Sequence, residues 1–195
     1  MTSYAFFGIV AGILSFLPCP LYVYDMFKKK TKPDRVTWWI LALTTGMIAI
    51  TYHAIGARET IWFPIGYTAS FLVIAILSVR YGEGPIELHT LDRVCLVGAL
   101  IAAFIWLLLD APFIALIVAL LTEFIGLIPT AVKAYKRPES ESTSSWTLTT
   151  VASFLNLLAL ESWTFVLALY PVYVFVTNLP ITYFIIRPRH DSHIS

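Results

Sequence analysis

The chain has 195 residues, of which 58% are apolar and only 13% are charged, whereas soluble proteins are roughly 45–50% apolar and about 25% charged. A soluble domain of this length could not cover its surface with so few charges. The net charge of +1 gives no attraction for a polyanion. Composition therefore excludes a cytosolic enzyme, a nucleic-acid-binding protein and a disordered tail, and it predicts an integral protein of the lipid bilayer.

Seven apolar segments are long enough to cross a bilayer as helices, which takes roughly 20 residues each. They run over residues 4–27, 36–55, 61–81, 94–109, 111–135, 146–160 and 163–186. The fourth and fifth segments meet at Asp110-Ala111-Pro112, where the proline predicts a tight turn. No basic region precedes the first segment, so we expect it to stay in the protein as a helix. The fold class predicted is all-α, with seven transmembrane helices.

Lysine and arginine are distributed unequally between the two sides that seven spans would create. Twelve of the thirteen fall on one side, and only Arg58 falls on the other. The positive-inside rule then places the C-terminus in the cytoplasm and the N-terminus outside. Adding or removing one span would scramble this pattern, so the charges support a count of seven. We expect a multi-pass protein of a prokaryotic inner (plasma) membrane.

An internal repeat relates the two halves of the chain. Three landmarks recur after 107 to 109 residues, namely Pro20 and Pro129, Trp38 and Trp146, and Pro64 and Pro171. Four spans separate equivalent helices, so both copies would cross the membrane in the same direction. Transporters with such a parallel repeat hold their substrate near the midplane, between the halves.

The repeat divides the chain into two three-helix bundles, at residues 1–82 and 111–187, joined by a linker helix at 83–110. Residues 188–195 form a cytoplasmic tail in this interpretation. The matched prolines remove backbone hydrogen bonds inside the spans, and membrane helices tolerate such breaks where other groups satisfy the backbone. Pro20, Pro129, Pro64 and Pro171 are therefore candidate hinges, although static kinks would explain them as well.

Short motifs near these landmarks resemble a known family. The run Leu17-Pro18-Cys19-Pro20-Leu21-Tyr22 is followed by Phe27-Lys28-Lys29-Lys30-Thr31, and the stretch 129–146 is followed by Phe154-Leu155-Asn156. Both resemble the loops of the PQ-loop superfamily, and within it the SWEET (MtN3/saliva-type) transporters. The resemblance implies a 3+1+3 parallel-repeat arrangement and alternating-access transport of a sugar. Other branches of the superfamily move amino acids with protons or act as seven-helix receptors.

Glu123 is the acidic residue that lies deepest in an apolar segment. A charge at the bilayer centre costs at least about 2.5–3.5 kcal/mol, so such a residue usually faces a cavity or a partner. Burial also favours the protonated carboxyl, and a carboxyl that changes protonation as a cavity opens could couple transport to protons. A neutral Glu123 that hydrogen-bonds a neighbouring helix is the structural alternative.

Polar residues follow one face of the sixth and of the seventh segment, at helical spacings of three and four. The faces are Trp146, Thr149, Ser153 and Asn156, then Pro171, Phe175, Asn178 and Thr182. We predict substrate contacts at Asn178, Asn156, Ser153 and Phe175, together with Tyr67 of the third segment. Interhelical packing is the alternative, because serine, threonine and asparagine commonly join membrane helices.

Tyr52, His53 and Glu161 stand near the predicted outer surface. His53 and Glu161 are separated by 108 residues and are equivalent in the repeat. Since histidine can titrate near neutral pH, the three residues are a candidate extracellular gate. The alternative is that they are interfacial residues in contact with water and headgroups.

These observations favour a transporter of a small polar solute, a sugar or an amino acid, with a non-transporting receptor or scaffold as the alternative. A retinal protein needs a Schiff-base lysine in the seventh segment, which has none. No catalytic cluster, metal-binding pair or cofactor motif is present in the spans, so we expect neither an enzyme nor a cofactor. Cys19 and Cys95 are interpreted as small apolar residues. A homo-oligomer is left open.

Overall fold

The computed structural model describes residues 2–29, 33–82 and 88–187, and within these ranges it is all-helical, without a β-strand. The α-helices are α1 (Ser3–Phe16), α2 (Pro18–Phe27), α3 (Arg35–Ala54), α4 (Trp62–Tyr81), α5 (Thr90–Leu109), α6 (Pro112–Lys136), α7 (Thr143–Leu158) and α8 (Phe165–Ile186). Short 3₁₀ turns precede α4 and α7. The all-α class is thus confirmed, and the predicted segments correspond to these helices within a few residues.

The first predicted span, 4–27, is confirmed as one apolar stretch, Ser3–Phe27, long enough to cross a membrane, but its helix breaks at Leu17 into α1 and α2. Pro18 and Pro20 have no backbone N–H to donate to the preceding turn, so the regular hydrogen-bond ladder cannot cross this point. The predicted start of the fourth segment is also too late. His89 and Asp92 form a capping box that starts α5 at Thr90.

Within the described residues, five stretches are long and apolar enough to span a membrane. They are Ser3–Phe27, Glu59–Tyr81, Thr90–Leu109, Pro112–Lys136 and Phe165–Ile186. Large apolar side chains lie on the outside of these helices, for example on α5, where Leu107 and Leu108 are each 68% exposed. Such an apolar exterior suits a multi-pass membrane protein. The count of seven, which needs α3 and α7 to span as well, stays a prediction.

The helices α4 and α8 each pack between two other helices. α4 contacts α1 and α3, and α8 contacts α7 and α6. Two further contacts join these groups, α1 with α7 and α3 with α6. α5 packs on α3 and α6. The bundle therefore has its interior between α3, α4, α6 and α8, where the buried core residues Tyr52, Phe63, Leu116 and Tyr170 gather.

Glycines allow α1 to approach α4 closely. A Cβ atom on Gly12 would lie 2.7 Å from the Trp62 carbonyl oxygen, and one on Gly66 would collide with the backbone of Gly12. Ser15 adds a hydrogen bond from its hydroxyl to the Phe63 carbonyl, at 3.0 Å. Small residues that let backbones approach are typical of helix contacts in membranes.

Charged side chains close one end of the bundle, which we call the basic end. Arg35 on α3 donates to the carbonyls of Ser78 and Gly82 at the end of α4. Lys133 forms an ion pair of 2.9 Å with Glu141, and Glu141 also accepts a hydrogen bond from the Trp146 indole. Hence Trp146, predicted to begin a polar face, helps hold the α6–α7 connection instead.

Candidate functional site

Five buried side-chain atoms in the described part of the chain have no hydrogen-bond partner in the protein. They are Thr68 Oγ1, Glu123 Oε2, Asn156 Oδ1, Asn156 Nδ2 and the Tyr173 hydroxyl. Buried polar groups are paired in the great majority of cases, and lipid offers no substitute partner. These atoms belong to α4, α6, α7 and α8, so four helices carry buried polar groups that a polar occupant could satisfy.

Glu123 reaches this interior because it shares a helix face with Ala119 and Leu116, both fully buried, at spacings of four and seven residues. The residue is half-buried, but its Oε2 atom is fully buried. The Tyr173 hydroxyl on α8 faces the carboxyl, although both groups keep unpaired atoms. Glu123 therefore has one polar neighbour and spare hydrogen-bonding capacity.

Three tyrosines lie near this carboxyl. Tyr67 of α4 and Tyr170 and Tyr173 of α8 all lie within electrostatic range of Glu123. We call these four residues the carboxyl–tyrosine cluster. Ring contacts through Phe63 hold it together, with centroids 5.8 Å from Tyr67 and 6.3 Å from Tyr170. The cluster is built from helices of both predicted halves.

Asn156 is fully buried, and neither atom of its amide has a partner. The other predicted residues of this α7 face are already satisfied. The Ser153 hydroxyl donates to the Thr150 carbonyl at 2.8 Å, and the Thr149 hydroxyl donates to the Ser145 carbonyl. Asn156 is thus the residue of this face that keeps a full set of donors and acceptors for a ligand.

Asn178 and Phe175, both predicted substrate contacts, have partners within the protein. Asn178 is buried and donates from Nδ2 to the Val174 carbonyl of its own helix, at 2.6 Å. The Phe175 ring packs 5.8 Å from the ring of Phe154 on α7. Tyr67 is half-buried and belongs to the carboxyl–tyrosine cluster. Their roles toward a substrate stay predictions.

Tyr52 is fully buried, and its part in a gate stays a prediction. Its hydroxyl lies 2.7 Å from the Thr60 hydroxyl and 2.8 Å from the Leu167 carbonyl oxygen. Pro171 cannot donate to the Leu167 carbonyl as a regular helical residue would. Tyr52 supplies that missing hydrogen bond and so joins α3 to α8.

His53 and Glu161, in contrast, are both exposed. No hydrogen bond or ion pair joins them in the part of the chain that the structure describes. Their role as a gate stays a prediction, as does the hinge role of the four prolines. Pro64 and Pro171 are fully buried, while Pro20 and Pro129 are exposed, so the two members of each predicted pair are alike in exposure.

The sequence-based prediction of the site missed Tyr170 and Tyr173. A signal existed, because a tyrosine inside an apolar span needs a partner for its hydroxyl, and these two stand three residues apart on α8. Nothing in the sequence showed that they face Glu123. Comparison with protein-family models, curated proteins and solved structures finds no match to this chain.

Proposed function

We propose that this protein is a membrane transporter of a small polar solute, a sugar or an amino acid, and that it works by alternating access. The observation that carries the proposal is the set of unpaired buried polar atoms on Thr68, Glu123, Asn156 and Tyr173. Thr68 belongs to the first half of the chain and the other three to the second. A solute bound between the halves would satisfy these atoms, and relative motion of the halves would release it.

The order of helix packing supports two equivalent three-helix units. If α1–α2, α3 and α4 form one unit and α6, α7 and α8 the other, the third helix of each unit packs between its first and second. The contacts between units are equivalent too, since α1 meets α7 as α6 meets α3. A parallel 3+1+3 repeat, with α5 as the linker, would produce this pattern.

In this proposal Asn156 and Tyr173 contact the solute, and Glu123 accepts a proton or the solute itself. Tyr52 lies at the end of the bundle opposite the basic end, where its bond to Leu167 holds the two units together. That bond must break for the opposite end to open. We place the N-terminus outside and the C-terminus in the cytoplasm, as the basic residues indicate.

Flux into proteoliposomes tests the proposal. The purified protein should carry at least one sugar or amino acid down its gradient, measured with and without a pH difference. If Glu123 couples protons, Glu123→Gln should abolish uphill uptake and retain downhill flux. Asp110→Asn is the matched control, because it removes one charge from an exposed turn.

Two results would contradict the proposal. Absence of flux for every solute in the panel would argue against transport. A solute that binds but never crosses would favour the receptor or scaffold function. Equal loss of uphill and downhill flux in Glu123→Gln would leave transport standing and remove the proton-coupling role.

A further inference from the structure

The charge of Glu123 has no counterpart in the described interior of the bundle. The basic side chains of the helices packed against α6 lie at helix ends: Arg35 and His53 on α3, Arg93 on α5, and Arg187 just after α8. On α6 itself, Lys133 and Lys136 lie in the last turn, and Lys133 is paired with Glu141 at the basic end. A buried carboxylate without a basic partner is costly, so a positively charged occupant would stabilise it.

The residues around Glu123 are aromatic, and Glu123 itself supplies the negative charge. Tyr67 and Tyr170 belong to a chain of ring contacts. The ring centroids of Tyr67 and Phe71 are 4.5 Å apart, and those of Tyr170 and Tyr52 are 4.9 Å apart. Faces of aromatic rings attract cations, and cages of such rings bind quaternary ammonium groups. The Tyr173 hydroxyl adds an acceptor that has no other partner.

We propose that the carboxyl–tyrosine cluster binds the ammonium group of a small organic monocation. The inference rests on the proposed transport of a small polar solute, and it names an organic cation as that solute in place of a sugar or an amino acid. One carboxylate neutralises one ammonium group, the tyrosine rings supply cation–π contacts, and Asn156 is available for the polar remainder of the solute. A neutral sugar cannot form an ion pair with this carboxylate, so the cluster favours a cation over a sugar.

Binding and flux with defined probes test this inference. The probes are choline, tetramethylammonium and ethanolamine as cations, and glucose as the neutral compound. At least one cation should raise the melting temperature of the detergent-purified protein and enter proteoliposomes, while glucose does neither. Glu123→Gln should weaken cation binding about tenfold or more, as expected for loss of a charge-assisted hydrogen bond. Tyr173→Phe should weaken it severalfold.

Controls separate this effect from misfolding. Asp110→Asn and Tyr183→Phe change the same chemical groups at exposed positions and should bind like the unmodified protein. If Glu123→Gln does not fold, Glu123→Asp and Tyr173→Phe provide the measurement. Either should weaken cation binding while the melting temperature without ligand stays near that of the unmodified protein.

The outcomes distinguish the two proposals. Flux of glucose that is insensitive to Glu123→Gln, with no response to any cation, would overturn the cation site and keep transport. Cation binding that depends on Glu123, without flux of any probe, would support the site and overturn transport. Absence of both binding and flux for all three cations would overturn the cation site.

Discussion

Two asparagines in the second half of the chain show how identical side chains acquire different roles. Both are buried, but Asn178 donates to the Val174 carbonyl of its own helix, whereas the Asn156 amide has no partner. An unsatisfied buried amide costs free energy of folding, about 1–3 kcal/mol. A residue that destabilises the fold is expected where function requires it.

Asn156→Leu should therefore stabilise the protein while impairing its function. The leucine has a similar volume and no unpaired polar atoms, so the melting temperature in detergent should stay equal or rise by a few degrees, corresponding to roughly 1 kcal/mol. Solute flux should fall about tenfold or more. Asn178→Leu is the comparison, and it should lower the melting temperature because an existing hydrogen bond is lost. A fall in melting temperature for Asn156→Leu would show that its amide is paired in the folded protein.

Part of the site was accessible from single residues. Glu123 could be singled out because the other acidic residues lie in loops or near helix ends, and any carboxyl in an apolar span is a functional candidate. Tyr170 and Tyr173 could not be assigned to it. Their distance along the chain from Glu123 exceeds 40 residues, and only the packing of α8 on α6 brings them together.

At the scale of helices, Pro171 and Tyr52 form one arrangement across two elements. Pro171 leaves the Leu167 carbonyl without its usual helical donor, and the Tyr52 hydroxyl occupies that acceptor at 2.8 Å. Membrane helices tolerate proline where a neighbouring helix re-satisfies the backbone. The helix break and the contact between α3 and α8 therefore depend on each other.

Tyr52→Phe should destabilise the protein less when Pro171 is absent. In the native background the loss of the hydroxyl should cost about 1–2 kcal/mol and lower the melting temperature. In a Pro171→Ala background the alanine N–H can donate to the Leu167 carbonyl, so the further cost of Tyr52→Phe should be clearly smaller. Tyr183→Phe, at an exposed position of α8, serves as the control. Equal losses in both backgrounds would show that the two residues act independently.

Element boundaries were predictable wherever local chemistry sets them. The turn at Asp110-Ala111-Pro112 lies between α5 and α6, as the proline indicated. The break at Leu17 was also visible in Pro18 and Pro20, although the prediction ran one helix through them. Gly8 and Gly12 form a G-x-x-x-G pair that could have indicated a close helix contact, but no local pattern identifies α4 as the partner.

At the scale of the whole molecule, α3 and α7 are the two predicted spans that lie outside the five apolar stretches. α3 buries Thr44, Thr45 and Thr51, and α7 buries Thr149, Thr150, Ser153 and Asn156. Hydroxyls in such positions bond to carbonyls one turn earlier, so they need no water. Helices that line a polar interior are less apolar than helices that face lipid alone, which would explain their low hydropathy if both span.

Labelling of single cysteines tests the count of seven and the orientation. In a background with Cys19→Ala and Cys95→Ala, a membrane-impermeant maleimide should label Arg58→Cys and Ser162→Cys on intact cells. Arg93→Cys and Ser144→Cys should react only after permeabilisation. All four positions are exposed, so reactivity reports the side of the membrane. Labelling of Arg58→Cys from one side and of the other three positions from the opposite side would show that α3 and α7 do not span.

The sequence by itself determined that the protein is apolar enough for a membrane, that it is helical, and approximately where its helices begin and end. These properties follow from local composition, apolar length and the chemistry of proline and caps, all of which act within a few residues. Tertiary structure alone decided which helices pack together, that Tyr67, Tyr170 and Tyr173 lie near Glu123, and that Asn156 is unpaired while Asn178 is not. Those facts depend on contacts between residues far apart in the chain. A polar side chain inside a helical bundle finds a hydrogen-bond partner only if the helix that packs against it presents one.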